Sequence, residues 1–249
     1  MKSFLKRAFT DTLRRREYEL KDVQHPLRRA PAFFRAMAPK GLNPGTVVDV
    51  GVGYGTPWLM DGFPNAYTVL VEPNEGFRDA AASLMAQRKG EVHFVAAGRA
   101  ASEMTLNLNV PRPTSSTMSK PSERQVDEFA RRGWTRETRA VTVPVMRLDS
   151  LDRAAWPKPF LLKIDSEGFE LEVLAGATGL FPDVQCLIAE VSVAERYEGG
   201  YDFATFIAAL DGYGFKLFDI TDMLQFGRRG RLSTIDAVFL PKASTLLGA

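Results

Sequence analysis

The chain has 249 residues, 45% of them hydrophobic and 25% charged, enough for one soluble domain with a sizeable core. A single cysteine, Cys186, excludes a disulfide framework within the chain, in keeping with a reducing cytoplasm, and no apolar run reaches the roughly 20 residues of a membrane-spanning helix. The basic opening MKSFLKRAF is followed by no apolar stretch, so a secretory signal is not expected, and the net charge of +2 is uneven: residues 1–40 carry +7 and the remainder −5.

Residues 3–20 read as a helix with a thin apolar stripe of Phe4, Leu5, Phe9 and Leu13. With a shorter helix near 31–38 it makes 1–40 a basic helical arm, either a solvated helix on the domain or an attraction surface for an acidic partner. The domain proper is expected over 41–249. TVVDVG (46–51), YTVLVEP (67–73) and VHFVAAG (92–98) are apolar, β-branched runs of buried-strand type, separated by a short helical span at 54–62 and a longer one at 75–88.

The rhythm breaks over about 99–159. There MTLNLNV and VTVPVMRL alternate apolar and polar residues, as antiparallel strands with one wet face do. A Pro/Ser/Thr segment and the charged helix ERQVDEFARR lie between them, so the insertion should carry a hairpin or a flap facing substrate. Alternation then resumes with FLLKID (160–165), FELEVLAGAT, VQCLIAEVS (184–192), YDFATFIAALDGYG, FKLFDI (215–220) and TIDAVFL (234–240). Only a loop joins the last two strands, so they should pair antiparallel. The fold class is α/β: a Rossmann-like, seven-stranded, mostly parallel sheet with an antiparallel last strand, a helical arm and an inserted hairpin.

The most informative local pattern is VVDVGVGYG (47–55), three glycines directly after a buried strand. Glycines 51, 53 and 55 let the backbone turn tightly and approach a ligand. Glu72 ends the next strand, where an acid accepts hydrogen bonds from ribose hydroxyls. A nicotinamide cofactor would want G-x-G-x-x-G and a pyrophosphate, which Asp49 would repel. Asp49 instead suits a ligand with a positive centre, and S-adenosylmethionine has a sulfonium, an ammonium, a ribose and no phosphate. The cofactor segment is therefore Asp49, Gly51, Val52, Gly53, Tyr54, Gly55, Glu72, Pro73 and Asn74, with Ala97 and Asp165 from later strands.

VVDVGVGYGTP, VLVEPNEGF, VPVMRLDSL and LLKIDSEGFELEVLAGA together resemble the FkbM-type S-adenosylmethionine-dependent methyltransferases over roughly 45–240. The resemblance implies a class I methyltransferase fold and methyl transfer, usually to a hydroxyl of a sugar, polyketide or similar natural product. Such a transfer needs an aligned acceptor oxygen and a group to take its proton. At the strand ends the acids left over from cofactor binding are Asp165 and Glu190. Asp165 is the first candidate for base or acceptor-orienting group, and the two together could hold a divalent metal, a reading not favoured without a third ligand. Lys163 shares a strand face with Asp165 and needs an acidic partner; Asp149, Asp165 and Glu190 are candidates.

Other residues carry less. His93 is expected as a packed core residue, and His25 lies in a connection. Arg228, Arg229 and Arg231 are either solvated loop charge or an anion contact, and Tyr54, Trp58 and Trp134 either wall the acceptor or belong to the core. IDSEG lacks the aromatic N/D-P-P-[FY] pattern that stacks a base, so a nucleic-acid acceptor is not expected. A small-molecule or glycan acceptor is, with room for a homo-oligomer. N-methylation, a macromolecular acceptor or a non-catalytic cofactor-binding module are the alternatives.

Overall fold

The computed structural model describes residues 29–131, 133, 137–225 and 231–248. The helix expected over 3–20, His25, Trp134, Arg228 and Arg229 lie outside them, and so does most of the basic arm. Helix α1 (Ala30–Met37) takes Pro31 in its first turn, where a missing N–H costs nothing, and buries Phe33, Phe34 and Met37. The chain then alternates through β1 (Thr46–Val50), α2 (Pro57–Gly62), β2 (Tyr67–Val71), α3 (Arg78–Met85) and β3 (Gly90–His93).

Here the third expected strand divides. Gly90–His93 pairs with β2, but Ala96–Ala97 (β4) joins a second sheet with β5 (Ser102–Asn109) and β6 (Thr138–Met146), in the order β4-β6-β5. The β5–β6 pair is antiparallel, as its alternating pattern predicts. His93 is correspondingly no core residue: on the edge strand its ring stays partly exposed and lies 3.0 Å from Glu91. Helix α4 (Glu123–Arg131) falls inside the insertion.

After it come β7 (Phe160–Ile164), α5 (Glu170–Ala175), β8 (Val184–Ser192), α6 (Phe203–Gly212), β9 (Phe215–Gln225) and β10 (Leu232–Pro241). The main sheet runs β3-β2-β1-β7-β8-β10-β9, with β10 inserted antiparallel between β8 and β9. Strands step one way from β1 to β3 and the other way from β7 onward. The topological switch therefore lies between β1 and β7, where an open α/β sheet binds its ligand.

Side chains alternate between two buried layers. Val48, Val50, Leu162, Ile164 and Ala189 face α5 and α6. Val47, Leu161, Cys186, Ile188 and Val238 face α1, α2 and α3. Period two then assigns Asp49, Lys163, Glu190 and Asp236 to that second face. Burial pushes the Cys186 thiol far above its ordinary range, so it packs as a small apolar residue.

Candidate active site

A cavity of about 300 Å³ opens at the carboxyl ends of β1, β2, β7 and β8. Gly51 turns the chain out of β1 with φ 76°, and a Cβ there would sit 1.7 Å from the carbonyl oxygen of Asp165. Only glycine fits that left-handed conformation and that closeness. Glu72 closes the turn from the side: its Oε2 accepts from Gly53 N at 2.9 Å and its Oε1 from Asn74 N at 2.8 Å. Burial raises the Glu72 carboxyl above the ordinary range, and those two amides partly offset it.

Gly51, Val52, Gly53, Tyr54, Gly55, Glu72, Pro73, Ala97 and Asp165 of the expected cofactor segment line the cavity. Tyr54 stands 66% exposed at its rim, edge-on to Phe77. Two residues sit elsewhere. Asn74 caps the turn at 75–77, its side chain accepting from Gly76 N. Asp49 is 0% exposed, with both oxygens sealed from the cavity. Register sets Asp49 directly beside Lys163 on neighbouring parallel strands, and the two pair at 3.1 Å.

Register also settles the partner of Lys163. Its ammonium is shared between Asp49 and, at 3.6 Å, Asp165, and it donates to the carbonyl of Gly51 at 2.9 Å. Of the other candidates, Asp149 is taken by Arg147 and Glu190 by Arg196, each at 2.6 Å. Burial opposes the Lys163 charge, but Asp49 and Asp165 outweigh it and hold the ammonium above the ordinary lysine range. Lys163 is thus a tie between the glycine turn and the IDSEG loop.

That loop is built around two further acids. Glu167 adopts φ 51°, uncommon for a residue with a side chain, and so turns its carboxylate back to Arg196 and Tyr197, each at 2.6 Å. Arg196 bridges Glu167 to Glu190, so one buried guanidinium holds two cavity carboxylates. Burial nonetheless raises Glu190 well above the ordinary carboxyl range, since Asp165 and Glu167 repel its charge and Arg196 only partly offsets them. Glu170 accepts from Ser166 N and Gly168 N and from the Tyr201 hydroxyl, capping the loop from inside its own helix.

Segment 113–122 of the insertion crosses the cavity like a strap, with Pro113, Thr114, Ser116, Thr117 and Met118 on its wall. Its hydroxyls anchor it: Thr117 donates to the Glu167 carbonyl at 2.6 Å and Ser119 to the Gly168 carbonyl at 3.3 Å. Ser122 donates to the Glu195 carbonyl, and its amide to the Arg196 carbonyl.

Lys163, Asp165 and Glu190 all line the cavity. Arg196, Tyr197 and Asp236 are not singled out by the sequence. The first two lie in an ordinary-looking loop after β8. Asp236 lies in the first half of an apolar strand, and because β10 runs antiparallel, that half faces the same cleft as the other strands' ends. Among the described residues no group of three His, Cys, Asp or Glu side chains is arranged to hold a metal ion.

A family model described as Methyltransferase FkbM domain matches residues 49–217. Similar solved structures include an FkbM methyltransferase from Methylobacillus flagellatus KT, at TM-score 0.46 and 16% identity over 86% of this chain and 48% of that one. Magnesium protoporphyrin IX methyltransferase from Synechocystis PCC 6803, with bound S-adenosylmethionine, matches at TM-score 0.43 and 14% identity over 84% and 76%. A TehB-like S-adenosylmethionine-dependent methyltransferase from Corynebacterium glutamicum ATCC 13032 Kitasato matches at 0.40 and 10% over 94% and 99%. The chain spans about half the length of the FkbM structure it matches. A search of curated proteins found no match.

Proposed function

The chain belongs to the FkbM methyltransferase family, and on that premise we propose that it transfers a methyl group from S-adenosylmethionine to a hydroxyl of a sugar, glycan or similar small natural product. The observation that carries this reading is the lining of the cavity: a glycine turn flanked by Glu72 on one side and by Lys163, Asp165 and Glu190 on the other strands. When bound, S-adenosylmethionine supplies an electrophilic methyl carbon on a positively charged sulfur. The residues fit such a ligand. Gly51 and Gly53 leave open backbone where side chains would intrude, and each Glu72 oxygen keeps a lone pair beyond the amide it holds, for the ribose hydroxyls.

Among these acids Asp165 is the base. Its side chain is 40% exposed, and its one ion pair is the longer of the two that Lys163 makes. The ammonium keeps the carboxylate in place without a short hydrogen bond that would block it. Glu190, held by Arg196, accepts a hydrogen bond from the acceptor and orients its oxygen. Acceleration then comes from alignment together with proton removal.

The test is transfer from methyl-tritiated S-adenosylmethionine to a panel of neutral glycosides. Asp165→Asn should lower turnover about 100-fold, within the range of general-base catalysis, while affinity for S-adenosylhomocysteine stays unchanged. Unchanged turnover would remove Asp165 as the base.

A further inference from the structure

Beyond the residues discussed so far, the register of the sheet brings a third carboxylate to the reacting end. Val50 pairs with Ile164, and Ile164 with Ala189, so the next residues, Gly51, Asp165 and Glu190, lie level across three strands. Glu190 is then directly opposite Asp236 on β10. One row therefore runs Gly51–Asp165–Glu190–Asp236, one residue pair above the row Asp49–Lys163–Ile188–Val238. Because side chains alternate with period two, all three carboxylates issue from the same face.

The members of the row differ in what holds them. Asp165 is near Lys163, and Glu190 is gripped by Arg196. The Asp236 carboxylate makes no hydrogen bond or ion pair with a described residue, although its side chain lines the cavity. The titratable groups facing it are Asp222 across β9, Glu190 across β8, and Asp165 and Lys163 from β7 and the loop after it. Three of those four are acids. Burial, then Asp165 and Asp222, pushes the Asp236 carboxyl up to about 6, so it is charged at neutral pH and discharges on mild acidification.

The cavity is lined by five carboxylates, Glu72, Asp165, Glu167, Glu190 and Asp236, and by the ammonium of Lys163, while the guanidinium of Arg196 pairs with Glu167 and Glu190 and leaves the others without it. An ionised carboxylate only accepts hydrogen bonds. A partner that donates them is favoured here, and one with a phosphate or carboxylate of its own is repelled at short range in a poorly screened site.

Resting on the methyltransferase reading above, we propose that Asp236 is a specificity-determining residue of the reacting end. With Asp165 and Glu190 it selects an acceptor that presents hydrogen-bond donors, hydroxyl or ammonium, and no negative charge.

The test compares two nucleosides that differ in charge at the transferring position, by calorimetry on the full-length protein. Sinefungin carries an amine there, and S-adenosylhomocysteine a neutral thioether. The wild-type protein at pH 7.5 should bind sinefungin at least tenfold more tightly. In Asp236→Asn the ratio should fall several-fold toward one, with affinity for S-adenosylhomocysteine unchanged, and in the wild type it should fall as pH is lowered from 7.5 to 5. A wild-type ratio of one, or a ratio unaffected by Asp236→Asn, overturns the proposal. If neither nucleoside binds, the methyltransferase reading fails instead.

Discussion

Asp236 carries a charge that the fold would be more stable without. Its carboxyl, raised from 3.8 to about 6, holds a proton in the folded protein that the unfolded chain has already released between those two values. Stability from this group is therefore present at low pH and is lost as pH rises through 6. At one unit per 1.36 kcal/mol the cost at neutral pH is about 1–3 kcal/mol. Asp236→Asn should raise the Tm at pH 7.5 by several degrees, and the gain should shrink as the pH is lowered toward 4. Thermal melts across that range check the sign. A gain independent of pH would mean that Asp236 does not titrate as its surroundings dictate. A carboxylate kept at such a cost fits a residue retained for binding.

Among the elements, the strap at 113–122 shows why a Pro/Ser/Thr segment belongs beside an active site. Prolines shape it, and its hydroxyls satisfy the backbone carbonyls of the IDSEG loop, which has no strand partner there. Thr117 serves twice, donating to the Glu167 carbonyl and accepting from Ser119 N. Thr117→Val keeps the shape and removes both bonds. It should cost about 1–3 kcal/mol, the expense of buried groups left unpaired, and should speed amide exchange in both 113–122 and 165–168. Faster exchange confined to the strap would mean that it does not steady the loop.

The same strap marks the limit of what the sequence makes legible. Its composition announces a loop, and the alternation in MTLNLNV and VTVPVMRL announces the pair of strands behind it. Which loop it grips depends on contacts 50 residues away in sequence, Thr117 to Glu167 among them.

Across the whole molecule, runs such as TVVDVG and VQCLIAEVS are readable because a buried parallel strand has to be continuously apolar. The glycine turn and Glu72 are readable because their chemistry is local. Register is not: it places Asp49 beside Lys163 and Asp236 opposite Glu190, and no spacing within one strand reports its neighbour. The switch of sheets between His93 and Ala96 is equally hidden, since the run 92–98 is apolar enough to pass as one strand. What the sheet order adds is direction, and through it the reason an acid in the first half of β10 shares a cleft with acids at the ends of β7 and β8.

No helix among the described residues is long and apolar enough to cross a membrane. The central claim is that the glycine turn and Glu72 hold S-adenosylmethionine at the switch between β1 and β7. Calorimetric titration of the wild-type protein and of Glu72→Gln with S-adenosylmethionine, and with NAD as a control, tests it most directly. One molecule of S-adenosylmethionine should bind per chain, at least tenfold more weakly in Glu72→Gln, and NAD should give no heat of binding. Binding of NAD in place of S-adenosylmethionine, or an affinity for S-adenosylmethionine indifferent to Glu72, would contradict the account.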